Sequence, residues 1–249
     1  MPNSREIMTQ RDHRSPGVPA GLALGAAALA GAYLLPGAAF HLAPLRRALG
    51  VGQRTLDGTG VALTFDDGPH PEGTPAVLAL LAARRVRATF FLVGEQVARA
   101  PALAGEIVAA GHRVGLHCDR HRNLLRLGPA AVAADIARAR ARIEDATGAA
   151  IALYRPPYGI FNAAALAIAH AHGWRPLLWT HWGRDWEARA TPESIAGLMT
   201  GPGLGPGSVL LAHDADDYGA PGSWRRTLAA LPLVLDELDR RGLEATTAL

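Results

Sequence analysis

Short apolar runs alternate along this chain with longer segments in which apolar residues recur at helical spacing. The short runs predict seven strands, at 61–65, 88–93, 113–116, 152–155, 175–180, 208–212 and 243–246. The longer segments predict helices that begin near residues 74, 101, 129, 162, 191 and 224. Alternation at this spacing is typical of parallel β/α units, which place functional side chains at the carboxyl ends of their strands.

The first 59 residues have a different pattern. Residues 1–17 form a short polar N-terminus that contains Arg5, Arg11 and Arg14. Residues 18–45 contain no Asp, Glu or Arg, and about 20 apolar residues in a helix can cross a bilayer. We therefore predict a transmembrane helix or uncleaved signal anchor at 18–45, a linker at 46–59 and one catalytic domain at 60–249.

Two alternatives remain open for the apolar segment. Small residues at 37–39 could form the cleavage site of a signal peptide. A buried Ala-rich helix is also compatible with the composition. Arginines lie on both sides of the segment, so the positive-inside rule does not fix its orientation.

The composition argues against a nucleic-acid partner. All 25 basic residues are Arg, they are dispersed without interleaved aromatic residues, and the net charge is only +3. Hydrophobic residues make up 49% of the 249 residues, so the chain can bury a sizeable core. The single cysteine, Cys118, cannot form an intrachain disulfide and does not indicate a compartment.

A small set of polar residues interrupts or follows the predicted strand ends. In chain order they are Asp66, Asp67, His117, His121, Arg155, Asp185, His213 and Asp214. In a parallel sheet these side chains converge on one edge and supply metal ligands together with acid and base groups. His117 and His121 alone are weak evidence for a metal, since such a pair also arises by chance in this composition.

The adjacent carboxylates Asp66 and Asp67 need a positive charge if both are buried. A metal on Asp67 would allow Asp66 to stay ionised as a base, particularly if Arg155 pairs with it. The alternative is that the two aspartates cap a turn at Gly68. His213 is a candidate general acid because imidazole titrates near neutral pH. An ordinary surface or core histidine is the alternative for that residue.

Five short motifs occur in a fixed order along the chain. They are TFDDG at 64–68, His117-x-x-x-His121, RPPYG at 155–159, Asp185-Trp186, and LAH at 211–213. Together they resemble the motifs of the NodB-type polysaccharide deacetylases, carbohydrate esterase family four. The resemblance extends from about Gly60 to the C-terminus and implies a distorted, incomplete (β/α) barrel of about seven units.

The resemblance implies a divalent metal site. Asp67, His117 and His121 are the implied ligands, usually for zinc, although cobalt or manganese can serve. Asp66 resembles the base that deprotonates the nucleophilic water, and Arg155 resembles the residue that orients this base.

The resemblance also implies an acid and an acyl pocket. The backbone N–H of Tyr158 resembles an oxyanion donor, and His213 resembles the acid that protonates the leaving amine. Asp185 resembles the carboxylate that orients that histidine. Trp186 and Leu211 resemble the wall of the acetyl pocket.

Two residues depart from the family's usual pattern. Cys118 follows the first histidine, where Ser or Thr is usual, and a thiol is the weaker hydrogen-bond donor. Trp182 stands where an acidic residue is usual, which removes a carboxylate and adds an aromatic ring at the rim of the site. The second departure bears on the substrate more than on the reaction.

The motif set predicts a metal-dependent hydrolase that removes N-acetyl or similar N-acyl groups from amino sugars of a glycan or glycolipid. A deacylase or deformylase of a lipid-linked sugar, a sugar O-deacetylase and a non-catalytic glycan-binding relative remain alternatives. The apolar segment at 18–45 predicts a membrane-anchored protein. We expect the catalytic domain outside the cytoplasm, with signal cleavage and secretion as the alternative.

Overall fold

The computed structural model describes residues 20–55 and 58–248. The α-helices of this part are α1 Ala20–Leu34, α2 Ala43–Ala48, α3 Gly73–Arg84, α4 Gly94–Arg99, α5 Pro101–Ala109, α6 Pro129–Thr147, α7 Ala163–Ala171, α8 Pro192–Met199 and α9 Ser223–Arg240. The strands are β1 Val61–Asp66, β2 Thr89–Val93, β3 Arg113–Cys118, β4 Leu153–Tyr154, β5 Arg175–Pro176, β6 His181–Trp182, β7 Val209–His213 and β8 Ala245–Thr246. Short 3₁₀ turns occupy Leu35–Ala38, Leu124–Arg126 and Pro157–Gly159.

All eight strands belong to one parallel sheet. Its order is β5-β4-β3-β2-β1-β7-β6, and β8 pairs with the start of β1. The central strands β1 and β2 are buried along their whole length, as expected for a parallel sheet covered on both faces. The prediction of parallel β/α units is therefore confirmed.

The sheet curves into an open barrel because its two edge strands are consecutive in the chain. Strands β5 and β6 lie at opposite edges of the sheet, yet only residues 177–180 connect them. A connection of that length spans at most about 18 Å, so the two edges must approach each other. The predicted single strand at 175–180 is therefore wrong, since Pro176 pairs with Tyr154 at one end, whereas the Thr180 N–H donates to the carbonyl of Val209 at the other.

The segment in front of the sheet differs from the predicted membrane helix. In place of one helix over 18–45, α1 ends at Leu34, and a 3₁₀ turn containing Pro36 and then α2 follow. Proline disfavours helical backbone in the residue before it and lacks the N–H that would continue the helix. Among the described residues, no helix is both long enough and apolar enough to cross a bilayer. The polar N-terminus predicted at 1–17 lies outside the described residues.

Residues 46–59, predicted as a linker, make contacts with the sheet where they are described. The Gly52 N–H donates to the carbonyl of Pro176, and the Leu178 N–H donates to the carbonyl of Gly52. A backbone bridge also joins Arg54 to Ser208. This segment therefore runs along the gap between the two sheet edges. The domain boundary at 60 stays a prediction.

Candidate active site

The adjacent aspartates lie at the carboxyl end of β1, in the centre of the sheet. Successive strand side chains normally point to opposite faces. Asp67 has φ of 80°, in the left-handed region that non-glycine residues rarely adopt, and this breaks the alternation. Both carboxylates consequently line one cavity, although each residue is almost fully buried. Gly68 is required next, because a Cβ there would lie 2.5 Å from an oxygen of Asp214.

The two motif histidines approach Asp67 from the end of β3. The pairing of β2 with β3 shifts at Leu92, so that His117 is an extra residue in the strand. Such bulges re-aim side chains and are common beside active sites. The His117 Nδ1–H donates to the carbonyl of Arg155 at 2.7 Å, which leaves the Nε2 lone pair facing Asp67.

The arrangement of Asp67, His117 and His121 fits a divalent metal. The Asp67 Oδ1 atom lies 3.4 Å from His117 Nε2 and 3.5 Å from His121 Nε2. Nitrogen and oxygen ligands about 2.0–2.1 Å from a tetrahedral zinc are about 3.3–3.4 Å apart, so these separations match. That buried oxygen has no hydrogen-bond partner among the described residues. Burial and the neighbouring imidazoles lower the pKa of His121 to about 4, which keeps it neutral as a ligand must be.

Asp66 belongs to a group that we call the base side, made of Asp66, Arg155 and Thr64. The Arg155 Nη1 donates to Asp66 Oδ1 at 2.7 Å and to Thr64 Oγ1 at 2.9 Å, and its Nε donates to the carbonyl of Leu177. The guanidinium is fully buried and lies 4.0 Å from the ring centroid of Phe91. The fixed guanidinium therefore holds the Asp66 carboxylate in place at the edge of the cavity.

His213 belongs to a second group, the acid side, made of His213, Asp185 and Thr227. The His213 Nδ1–H donates to Asp185 Oδ1 at 2.8 Å, so its Nε2 faces Asp67 Oδ2 at 3.9 Å. The His213 backbone N–H and the Thr227 hydroxyl donate to the other oxygen of Asp185. Burial alone would lower the pKa of His213, but the charge and hydrogen bond of Asp185 and the carboxylates of Asp67 and Asp66 raise it to about 10. The imidazole is therefore protonated near neutral pH.

Tyr158, the predicted oxyanion donor, lines the cavity and has a backbone N–H that is free to donate within the described part of the chain. Its φ is 60°, and no backbone hydrogen bond among the described residues uses its N–H. The next residue, Gly159, also has positive φ, and a Cβ there would lie 2.8 Å from the ring of Trp179. The tight packing of this loop on Trp179 therefore requires glycine at 159.

The predicted ligands, base and acid line one cavity, whereas Arg155, Asp185 and Asp214 are fully buried outside its lining. The cavity, of about 420 Å³, is lined by the carboxylates, imidazoles and Tyr158 together with Trp186, Leu211 and Trp182. The Trp186 ring contacts His213 edge-on at 5.4 Å between centroids. The positions of Trp186 and Leu211 suit the wall of a small acyl pocket.

Sequence reasoning missed the residue that holds the loop between the two histidines. Asp135, on the buried face of α6, accepts the backbone N–H of Asp119 at 2.8 Å and the Arg122 guanidinium at 2.7 Å. Its signal was a carboxylate at helical spacing from Val132 and Ala139, on an otherwise apolar face. Cys118 is buried, and this burial raises the pKa of its thiol well above the usual value.

Three further cavity-lining residues were missed because nothing local in the sequence marks them. Tyr218 stacks on the His121 ring at 4.4 Å between centroids and donates to Glu95. Phe40 and His41 line the cavity from the segment that precedes the sheet.

In a second cluster, made of His70, Asp216 and Asp217, the histidine has no free ring nitrogen with which to bind a metal. The Nδ1 atom of His70 accepts the backbone N–H of Gly73 at 2.9 Å. The proton must therefore be on Nε2, which donates to Asp216 Oδ1 at 3.2 Å. This histidine fixes the turn after β1.

Comparisons with known proteins agree with this geometry. The profile of the polysaccharide deacetylase family matches residues 53–177. A chitooligosaccharide deacetylase of Bradyrhizobium sp. (strain ANU 289) is 36% identical over 197 residues, which cover 76% of this chain and 89% of that protein. A solved peptidoglycan N-acetylglucosamine deacetylase has a TM-score of 0.74 and 28% identity over 81% of this chain and 92% of its own. A family 4 carbohydrate esterase from Streptomyces lividans, solved with acetate, has a TM-score of 0.67 and 33% identity over 75% of this chain and 91% of its own. This chain belongs to the polysaccharide deacetylase family.

Proposed function

We propose that this protein is a metal-dependent hydrolase that removes N-acetyl groups from the amino sugars of a glycan. One observation carries the proposal: three convergent ligand atoms, an arginine-paired carboxylate and a carboxylate-paired histidine share a single cavity. Amide hydrolysis needs an activated nucleophile, stabilisation of a developing oxyanion and a proton for a poor leaving group. The base side, the Tyr158 N–H and the acid side can supply these in turn.

Asp67, His117 and His121 would hold the metal, with zinc as our first choice and cobalt or manganese as alternatives. When bound, such an ion polarises the acyl oxygen and makes a coordinated water more acidic. Asp66 would take the proton of the attacking water, with Arg155 holding its carboxylate in place. His213 would donate its Nε2 proton to the sugar nitrogen, which leaves as an amine while acetate is released.

The substrate class rests on the relatives and on the cavity. Proteins similar to this chain are named chitooligosaccharide and peptidoglycan N-acetylglucosamine deacetylases. Both kinds of substrate carry an N-acetylated amino sugar, which we propose as the unit that this protein recognises.

Acetate release from soluble N-acetylglucosamine oligosaccharides by the purified full chain tests the proposal. Release should stop after chelator treatment and return when zinc, cobalt or manganese is added. Release that resists the chelator would contradict the metal, and cleavage of O-acetyl sugars alone would favour the esterase alternative. Binding without any turnover, by a protein shown to contain metal, would favour a non-catalytic relative.

A lipid-linked amino sugar is the second candidate substrate. It is favoured by exposed leucines in the segment that also supplies Phe40 and His41 to the cavity, since Leu34, Leu35 and Leu42 are 40%, 54% and 51% exposed. We propose on the same basis that residues 18–45 attach the protein to a membrane, with the catalytic domain outside the cytoplasm. Fractionation of cells, with protease added from outside, tests this location. A catalytic domain that is protected in intact cells would contradict it.

A further inference from the structure

The residues that complete one wall of the active-site cavity lie outside the matched family region. Gly37, Phe40 and His41 line the cavity, whereas the match to the family profile begins at residue 53. The segment 36–41 thus contributes to the site of this chain from in front of its deacetylase core.

Hydrogen bonds fix this segment to the core on the N-terminal side of Phe40 and to α2 on its C-terminal side. The Tyr33 hydroxyl donates to the carbonyl of Leu127 at 2.7 Å and accepts from the Asn162 amide at 2.8 Å. On the other side, the Arg46 guanidinium donates to the carbonyls of Ala39 and Phe40, each at 3.4 Å. The backbone that carries Phe40 is therefore held by hydrogen bonds and is not only laid against the surface.

Close packing fixes the segment further. Ala39 is fully buried. A Cβ at Gly37 would lie 3.3 Å from the Leu125 side chain and 3.4 Å from the carbonyl of Phe161, so the chain passes tightly over the core there. A larger residue at 37 would push the following turn, and Phe40 with it, away from the cavity.

Phe40 forms an aromatic wall with Trp179 and Trp182. Its ring centroid lies 5.3 Å from that of Trp179 and 5.7 Å from that of Trp182, and the two tryptophan rings are 6.3 Å apart. These are the separations of rings in favourable contact. Trp182 is also the residue that replaces the family's usual acidic side chain. Phe40 therefore packs on the position at which this chain departs from its family.

The chemistry of the cavity indicates what this wall contacts. One side of the cavity is polar and holds the metal ligands, the base and the acid. In an N-acetylated amino sugar the amide nitrogen is bonded directly to a ring carbon, so the pyranose ring must enter the same cavity as the reacting group. A pyranose has an apolar C–H face and a rim of hydroxyls. The aromatic wall offers the apolar surface for that face, and His41 offers a polar group for the rim.

We propose that the segment 36–41 is a substrate-binding element, in which Phe40 together with Trp182 contacts the pyranose ring of the substrate. The inference rests on the proposed function, because it assigns the sugar subsite of that same cavity. A volume of about 420 Å³ is within the range of small-molecule sites. Phe40 thereby positions the sugar for the groups that act on its acetamide.

The test compares Phe40→Ala, Phe40→Leu and Phe40→Tyr with the full chain, using soluble N-acetylglucosamine oligosaccharides. We expect Phe40→Ala to raise KM about tenfold with kcat nearly unchanged, because apolar contacts in a pocket contribute mainly to binding. Phe40→Leu should also raise KM, whereas Phe40→Tyr, which keeps the ring, should stay within about twofold of the parent. Leu233→Ala, at an exposed leucine of α9 that does not line the cavity, is the matched control and should leave KM unchanged.

If Phe40 served only to pack the segment, KM would not depend on the ring at position 40. Phe40→Leu would then behave like the parent, and Phe40→Ala would lower the melting temperature without raising KM. Either result overturns the proposal. A KM effect seen only with a lipid-linked substrate overturns it as well, in favour of a lipid chain against the wall.

A binding measurement separates this inference from the proposed function. Oligosaccharide binding to the metal-free protein should change the fluorescence of Trp182, and Trp182→Phe identifies the signal of this residue. Phe40→Ala should raise the dissociation constant obtained from this signal about tenfold. Oligosaccharide binding that depends on Phe40, without any hydrolysis, would contradict the proposed function but support the sugar subsite. Hydrolysis with the same KM in the parent and the Phe40 variants would contradict the sugar subsite but support the proposed function. Neither binding nor hydrolysis would overturn both.

Discussion

The base side and the acid side of the site each contain a buried carboxylate paired with a cation, but only one carboxylate can react. Asp66 lines the cavity, and its contact to Arg155 uses one oxygen. Asp185 is fully buried and accepts three hydrogen bonds, two from His213 and one from Thr227. The difference lies in free lone pairs and access to the cavity, not in charge. We therefore propose that Asp66 takes a proton from water, whereas Asp185 only orients His213 and favours its protonated form.

The largest effect should follow from removing the carboxylate on the base side. Asp66→Asn keeps the shape and an acceptor for Arg155 but cannot take a proton near neutral pH. We expect kcat for acetate release to fall about 10³-fold, the scale of a lost general base. Asp239→Asn, an exposed carboxylate on α9, is the matched control. A loss of less than about tenfold in Asp66→Asn would contradict the assignment.

The next effect concerns the stability of the base side. Arg155→Met removes a fully buried cation and leaves Asp66, Thr64 and the Leu177 carbonyl without their donor. Breaking a buried pair in this way should lower the free energy of unfolding by about 3 kcal/mol. Denaturant unfolding measures it, with the exposed Arg84→Met as control. Equal stability of the two variants would show that Asp66 does not depend on its partner.

The acid side should respond in its pH dependence as well as in its rate. In Asp185→Asn, His213 loses the partner that raises its pKa, so the acid is deprotonated at a lower pH. We expect kcat to fall about 10²-fold. The alkaline limb of the profile should also move to lower pH, because activity requires the protonated imidazole. An unchanged limb would mean that His213 is not the group that titrates there.

A third buried carboxylate, Asp214, makes no ion pair within the described residues, and we expect its substitution to have the smallest effect. Asp214 is fully buried, its Oδ1 has no hydrogen-bond partner within the described part of the chain, and burial raises its pKa to about 7. Because the folded pKa lies above the unfolded one, the native state binds the extra proton. Stability should therefore fall as pH rises from about 4 to about 7.

Asp214→Asn removes that titration. Between about pH 4 and about pH 7, the free energy of unfolding of the variant should rise by about 1 kcal/mol or more relative to that of the parent. Denaturant unfolding at several pH values measures this difference. If the free energies of unfolding of parent and variant changed with pH in the same way, this would contradict the raised pKa of Asp214.

The fold and the paired groups follow from the sequence to different extents. Apolar runs predicted the central strands because these are buried along their whole length, and the motif residues converge because their strands are parallel and adjacent. The division of 175–180 between two sheet edges depends on barrel curvature, which no local pattern encodes. The roles of Thr64, Thr227 and Phe40 depend on contacts between distant segments, since each hydrogen bond or ring contact that matters joins residues far apart in the chain.

The most direct test of the division between the two sides compares an amide with an activated ester in the same variants. The amide needs a proton for its leaving nitrogen, whereas 4-nitrophenyl acetate releases a phenolate that needs none. We expect Asp185→Asn to lose about 10²-fold in the ratio of amide to ester hydrolysis, because it impairs only the acid side. Asp66→Asn should lose both activities with that ratio unchanged. Loss of amide and ester activity in equal proportion in both variants would contradict the central claim that the two buried carboxylates have different roles.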